Sequence, residues 1–408
     1  MTNLTTNIVI IGAGPAGCTA SIYLSKFKIP HVILEKDVFP RDKICGDALS
    51  GKVVSQLKRI DPRWVDELSS NAIAAPSWGV VFSSPNGNSV EIPFRNKPNE
   101  AAHSPGFISK RINFDNFLFS KLDRNYATVL ENEEVKDVEI ADDNTVVTSF
   151  NYSINAKLVI SAEGVRGLVA KKFAKHTLEL KHHCAGLRAY YNGVKGLHPQ
   201  GFIELHFVKE ALPGYFWIFP LPDGRANVGI GMLSHYISKK KVNLKKLMED
   251  VIESPQFKQR FENAALEGKI LGLGLPLGSK KRTLSGNRFM LTGDSGSLID
   301  PFTGEGIGNA MYSGKWAAEQ AKICLEENDF SATKLAAYDK LVYKKLGKEF
   351  QVSHLMQKLI LFPRAFNWMI AKIKRNKELR QTITFMFDNV DLRKKFRSPL
   401  FYLRVLFG

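Results

Sequence analysis

The chain has 408 residues, 44% hydrophobic and 24% charged, a globular balance with material for one large or two ordinary domains. Its four cysteines, Cys18, Cys45, Cys184 and Cys324, include no C-x-x-C pair, which fits neither a disulfide framework nor ordinary zinc spacings and points to a reducing, cytoplasmic compartment. The net charge is +17, and residues 331–408 hold 17 Lys or Arg against 5 Asp or Glu; such a basic end suits nucleic acid, anionic lipid, an acidic protein, or simply a solvated helical surface.

Residues 7–25 carry no charge, but no basic stretch precedes them and Gly12, Gly14, Pro15 and Gly17 interrupt them, so they do not read as a signal or membrane segment. They read as a buried strand, NIVII at 7–11, then a phosphate loop and a helix over 15–27; HVILE at 31–35 follows as a second strand, completing the opening of a βαβ unit. Gly12-Ala13-Gly14-Pro15-Ala16-Gly17 satisfies G-x-G-x-x-G at the strand–helix junction, and Glu35 stands 23 residues after the first glycine. Gly12 allows the tight turn, Gly14 lets the backbone approach a pyrophosphate at the helix N-terminus, and Gly17 lets helix and strand pack closely. Glu35 can accept both hydroxyls of an adenosine ribose. Dinucleotide binding is therefore predicted, with Gly12, Gly14, Ala16, Gly17 and Glu35 at the nucleotide. No other uncharged apolar run reaches the roughly 18 residues of a spanning helix, so none is expected.

FPRDKICGDALSGK, at 39–52, takes an irregular path where a helix would be expected. Apolar or period-two stretches at 78–94, 127–149, 183–191, 202–207, 214–220 and 225–232 then make the middle of the chain rich in strands. Within 214–220, Tyr215, Trp217 and Phe219 alternate and so share one face, with Phe216 and Ile218 on the other; such a stripe is either plain core or the wall of an apolar pocket. LVISAEG at 158–164 and RFMLTGD at 288–294 are short apolar strands ending in glycine beside an acid, so the chain returns twice to the first sheet. The expected organisation is a discontinuous nucleotide-binding domain (1–75, 105–175 and 280–330), a β-rich domain (76–104 and 176–279), and a helical basic region over 331–408. Helices are expected near 305–327, 331–360, 364–380 and 388–406, broken at Pro363 and Pro399. His182 and His183 form no metal constellation with Cys184, and no metal site is predicted.

LTGDSGSLIDPFTGEGIGNAM, at 291–311, resembles the late Gly-Asp motif of glutathione-reductase-type FAD folds, and within them of para-hydroxybenzoate-hydroxylase-like flavoproteins. That resemblance implies FAD, with Asp294 on the ribityl chain and Gly304, Gly306 and Ile307 close to the flavin, where a helix starting near Glu305 would aim its positive end. SKRINFDNFL, at 109–118, looks like the same proteins' Arg-x-x-Phe-Asp-x-x-Leu segment, which implies that Arg111 contacts FAD and Asp115 is structural. Val135, in NEEV, falls where these proteins place backbone near the adenine. Ala162-Glu163-Gly164 departs from their usual Ala-Asp-Gly.

PGYFWIFPLPDGRANVGIG, at 213–231, resembles the Tyr-x-Trp-x-Phe-Pro segment of geranylgeranyl reductase family flavoproteins, and Lys43-Ile44-Cys45-Gly46 resembles their Lys-x-Cys-Gly segment beside the flavin. The resemblance spans roughly residues 5–330. It implies a mixed α/β and α+β fold: a glutathione-reductase-type Rossmann-like FAD domain, a β-sheet substrate domain and a helical C-terminal region. It also implies an FAD-dependent reductase of carbon–carbon double bonds in an isoprenoid lipid, with hydride from flavin N5. Cys45, Gly46 and Ala48 would lie beside the flavin, and Tyr215, Trp217, Phe219 and Pro220 would line the substrate. Cys45 is then a candidate proton donor, with a small packing residue as the plainer reading. Monooxygenases and halogenases share the scaffold, although halogenases show Gly-Glu-Ser where this chain has Cys-Gly; a non-catalytic flavin electron carrier is a third reading. With no second G-x-G-x-x-G, the electron donor is NADPH bound transiently or a reduced protein such as ferredoxin. A lipid substrate gives residues 356–408, with LILFPRAFNWMIAKIKRNK and LRKKFRSPLFYLRVLFG, a reading as interfacial helices on an anionic membrane rather than as a nucleic-acid surface. The expected location is cytoplasmic and peripheral to the inner membrane face.

Overall fold

The structure, a computed structural model, describes residues 1–70, 73–95, 103–377 and 379–381. The expected helix over 388–406, with Pro399, lies outside them. Two compact units are formed: unit 1 from Met1–Lys43, Arg111–Cys184 and Gly274–Met356, unit 2 from Ile44–Lys110, Ala185–Leu273 and the described residues from 357 onward. These bounds put residues 44–75, grouped in the sequence reading with the nucleotide domain, in unit 2. They also put residues 331–356 in unit 1, where the Tyr338 hydroxyl donates to the Leu291 carbonyl at 2.8 Å.

Unit 1 is built on a parallel sheet. The strand Thr2–Ile11 lies between His31–Leu34 and Tyr152–Ser161, with Ala127–Leu130 and Phe289–Leu291 beyond them, all parallel. Ile8 to Ile11 are all buried, as a continuous apolar run in a doubly covered parallel sheet should be. The strand begins five residues before the expected NIVII, because Thr2–Thr6 pair with Tyr152–Ala156. Pro15 occupies the first turn of the helix Pro15–Lys26, where its missing N–H is no loss. That helix is buried along almost its whole length against the helix Ile307–Glu327, and a Cβ on Gly314 would sit 2.2 Å from the Ala16 carbonyl oxygen. Ala16 thus meets a helix as well as standing in the phosphate loop.

Unit 2 contains an antiparallel-rich sheet in the order Ala265–Pro276, His183–Asn192, Arg225–Leu233, Gly214–Pro220, Ile203–His206, Gly79–Ser83, Ser89–Pro93. One face buries Phe216, Ile218, Val228 and Ile230 against Met248, Val251, Phe257 and Phe261, from the helices Leu244–Ile252 and Lys258–Phe261 and the turn before the latter. Two more helices, Gly51–Ile60 and Arg63–Ser70, follow the irregular stretch; the Ser50 side chain caps the first by accepting from the Lys52 N–H at 3.2 Å. Pro363 opens the helix Pro363–Arg375 rather than breaking one. Among the described residues no helix is long and apolar enough to cross a membrane.

Candidate active site

The glycines of the phosphate loop divide by what a side chain would meet. Gly12 has φ +98°, and a Cβ there would lie 2.5 Å from the Ala162 carbonyl; at Gly17 it would lie 1.8 Å from the Gly12 carbonyl. Both are packing requirements. Gly14 is in ordinary extended backbone, and its Cβ would meet only the Arg41 guanidinium, at 3.7 Å. The space beside Gly14 is therefore open, at a helix N-terminus, with a cation on its far side, and this is the environment a pyrophosphate requires. Glu35, buried just past the second strand, accepts from the Ala13 N–H at 2.8 Å and the Asp37 N–H at 3.2 Å, and so braces the loop at the position expected for a ribose acceptor.

Arg41 was not singled out from sequence. It joins this site through Asp115 Oδ2 at 2.8 Å and lies 3.8 Å from Glu35 Oε1. Arg111 makes a two-pronged pair with the same Asp115, at 2.6 and 2.7 Å, one turn along the helix Arg111–Ser120. Burial alone would push the Asp115 carboxyl up; Arg111, with Arg41 behind it, outweighs burial and holds it below the usual carboxylate range. Val135 is half-buried against the sheet core.

Glu163, the departure from Ala-Asp-Gly, has a local task. Its carboxylate accepts from the Leu168 and Val169 N–H groups at 2.7 and 3.1 Å and from the Ser161 hydroxyl at 2.6 Å, which satisfies the start of the helix Leu168–Lys172. Burial raises its pKa, and these hydrogen bonds oppose the rise. Asp294 lies in the turn Gly293–Gly296 and pairs with Lys43 at 3.1 Å. Gly304 has φ +74°, a Cβ on Gly306 would come within 3.6 Å of Asp294 Oδ1, and the helix begins at Ile307 with the Glu305 carboxylate accepting from the Gly308 N–H.

In unit 2 the strand Gly214–Pro220 carries a row of rings. Tyr215 and Trp217 centroids are 6.1 Å apart, Trp217 and Phe219 6.2 Å. Their partners on Arg225–Leu233 are small or polar: Tyr215 faces Gly231, Trp217 faces Gly229, Phe219 faces Asn227, and Pro220 closes the strand opposite Ala226. A Cβ on Gly229 would sit 2.1 Å from Trp217 Cζ2, so the indole lies across the neighbouring strand in space only glycine leaves. The Trp217 Nε1–H donates to Asn227 Oδ1 at 2.9 Å. Against this wall runs Cys45–Gly46. A Cβ on Gly46 would be 3.2 Å from the Phe219 ring and 3.8 Å from Trp217 Nε1, and the half-buried Cys45 accepts at its carbonyl from Asn227 Nδ2 at 2.9 Å. Ala48 opens a two-residue strand paired with Ile108. Asn227, Gly229 and Gly231 were legible in principle, since a hairpin turning at 221–224 sets residues 217 and 229 opposite each other.

An open phosphate loop braced by an acid, with a Gly-Asp turn returning to the same sheet, is the apparatus of FAD-dependent oxidoreductases, and an FAD binding domain model matches residues 5–186. A geranylgeranyl reductase catalytic domain model matches residues 188–269. The chain is an FAD-dependent oxidoreductase similar to the geranylgeranyl reductase family. It is 26% identical over 362 residues to digeranylgeranylglycerophospholipid reductase of Thermoplasma volcanium, covering 85% of each chain. To menaquinone reductase of Mycobacterium tuberculosis it is 25% identical over 368 residues, covering 88% of this chain and 85% of the relative. The crystal structure of a geranylgeranyl bacteriochlorophyll reductase-like protein from Thermoplasma acidophilum shares the fold, with a TM-score of 0.80 at 21% identity, over 97% of this chain and 99% of the other.

Proposed function

We propose that the protein reduces carbon–carbon double bonds in a prenyl chain of an isoprenoid lipid. The observation that carries this reading is the ring row Tyr215, Trp217 and Phe219 on one sheet face, with the Cys45–Gly46 backbone laid on its edge. Bound FAD supplies the hydride, from reduced N5. Gly14, Arg41 and the helix N-terminus would hold its pyrophosphate, Glu35 a ribose, and Asp294 the ribityl chain. The rings hold the chain and exclude water. An isolated alkene has no carbonyl to take up charge, so a proton must arrive with the hydride or ahead of it, and Cys45 is assigned as its donor. Apolar contacts discriminate by only about 1–3 kcal/mol per methylene, so this wall selects for a prenyl chain more than for its length. The relatives' names span a phospholipid and a quinone, and a panel of both head groups is the substrate screen.

The test is anaerobic: protein reduced with dithionite, offered geranylgeranyl lipids, should reoxidise while the product gains two hydrogens. Cys45→Ser should keep its full FAD content and slow this reoxidation by roughly 10²–10⁴-fold, the usual worth of a positioned proton donor. Flavin that waits for air, with oxygen uptake coupled to product, would instead establish the monooxygenase reading. The electrons come from NADPH or a reduced ferredoxin, and anaerobic bleaching with each decides between them.

The helix Pro363–Arg375 supports a peripheral place on the cytoplasmic membrane face. It buries Phe366, Ile370 and Ile373, with Phe366 stacked edge-on to Phe207, while Trp368 is 48% exposed beside Lys372 and Phe362, just before the helix, is 65% exposed. Exposed aromatics with Arg364 between them and Lys372 beside Trp368 suit an anionic interface. The protein should float with anionic vesicles and be released by salt, each basic side chain at the surface contributing about 1 kcal/mol. Equal flotation with neutral vesicles would remove the electrostatic part of this reading.

A further inference from the structure

Asp47 has features that no packing role requires. It is fully buried, and it holds φ +67°, a conformation that a residue with a Cβ keeps only when its surroundings over-determine it. Its carbonyl accepts from the Ser109 N–H at 2.9 Å. Its Oδ2 accepts from the Tyr190 hydroxyl at 2.7 Å and from Asn227 Nδ2 at 2.8 Å. Two cations lie over the Tyr190 ring, Arg188 at 4.1 Å and Lys110 at 4.4 Å from its centroid.

Asn227 is the centre of this cluster. One amide nitrogen serves two acceptors, the Cys45 carbonyl and the Asp47 carboxylate, while its oxygen receives the Trp217 indole N–H. The indole can only donate, so the amide orientation is fixed by its partners. Cys45 and Asp47, on either side of Gly46, are thus both tied to the strand opposite Phe219, and the tie presses Gly46 onto the rings. A network that holds both ends of a three-residue segment leaves that segment little freedom.

We propose that Asn227 and Asp47 are positioning residues of the reduction: they clip Cys45–Gly46 to the aromatic strand and thereby set how the Cys45 thiol is presented, with Tyr190 holding Asp47 in place. The inference deepens the reductase reading and rests on it for its kinetic arm, whereas thiol accessibility is independent of any substrate.

The decisive variant is Asn227→Asp, which keeps shape and the indole bond but sets a carboxylate, without a hydrogen to give, against the Cys45 carbonyl and the Asp47 carboxylate. Alkylation of Cys45 by iodoacetamide, followed by peptide mapping on the FAD-loaded protein, should accelerate about tenfold, the equivalent of one charge-assisted hydrogen bond. The exchange Asp47→Asn with Asn227→Asp restores a donor–acceptor pair between the two positions but not the bond to the Cys45 carbonyl, and should return alkylation only about half-way, on a logarithmic scale, to the original rate. Tyr190→Phe removes a single donor from a half-buried site and should give an intermediate rate, so it and the exchange keep the test decisive if Asn227→Asp does not fold. Alkene-dependent reoxidation in a single turnover should slow and recover in parallel. Alkylation unchanged across the series would overturn the clip, and responsive alkylation with undiminished reoxidation would overturn its part in the reduction. A parent protein inert to every alkene, with alkylation still responsive, would remove the reductase reading and leave the clip standing.

Discussion

Gly14→Val is expected to leave unit 1 folded and to weaken FAD binding by at least about 100-fold, the loss of roughly two hydrogen bonds to a charged group. The backbone at Gly14, φ −72° and ψ −175°, is a region valine favours, and the only atom near its Cβ is the tip of the flexible Arg41 side chain. The substitution therefore fills the open space without disturbing its walls. Gly17→Ala differs in kind. Its Cβ would be driven into the Gly12 carbonyl at 1.8 Å, so the loop or the helix must move, and the fold itself should suffer by about 1–3 kcal/mol or more. The two effects separate when apoprotein is melted and then titrated with FAD by flavin fluorescence. Wild-type affinity in Gly14→Val would mean that the pyrophosphate lies elsewhere.

The same contrast explains what could be read from the sequence. NIVII, G-x-G-x-x-G and Glu35 are contiguous, and each is dictated by local geometry, so strand, loop, helix and acid follow directly. The helix Gly51–Ile60 was also written locally, with Val53, Val54, Leu57 and Ile60 at helical spacing behind Ser50, but glycine and proline upstream favoured an irregular reading. Glu163 looked like a weakened motif; its longer side chain in fact reaches two N–H groups of the next helix, which only the folded backbone reveals. Arg41 and Asp115 are 74 positions apart and meet through tertiary packing alone, as do Tyr190 and Asp47 at 143. Such polar pairs follow no periodicity, and burial is what makes them consequential. Asn227 stands between these cases, silent in its own strand and conspicuous once the hairpin register sets it opposite Phe219.

Asp115→Asn is expected to destabilise unit 1 by about 3–5 kcal/mol, the usual consequence of removing one partner from a buried ion pair. Arg111 is almost wholly buried, and the amide would leave its charge, with that of Arg41, facing a neutral group with one acceptor oxygen in place of two. The pH dependence gives an independent readout. Because the folded-state pKa of Asp115 lies below its unfolded value, its contribution to stability is fully present above the ordinary carboxylate range and is lost as pH falls through the depressed value. Urea midpoints taken from neutral pH down to about pH 3 should therefore fall more steeply in the parent protein than in Asp115→Asn, whose amide does not titrate. Parallel curves would mean that the carboxylate is not the anion that neutralises Arg111. A small neutral-pH loss with flattened acid dependence would mean that Arg111 and Arg41 find other partners once the carboxylate is gone, and FAD content measured on the same samples would show whether the phosphate loop follows them.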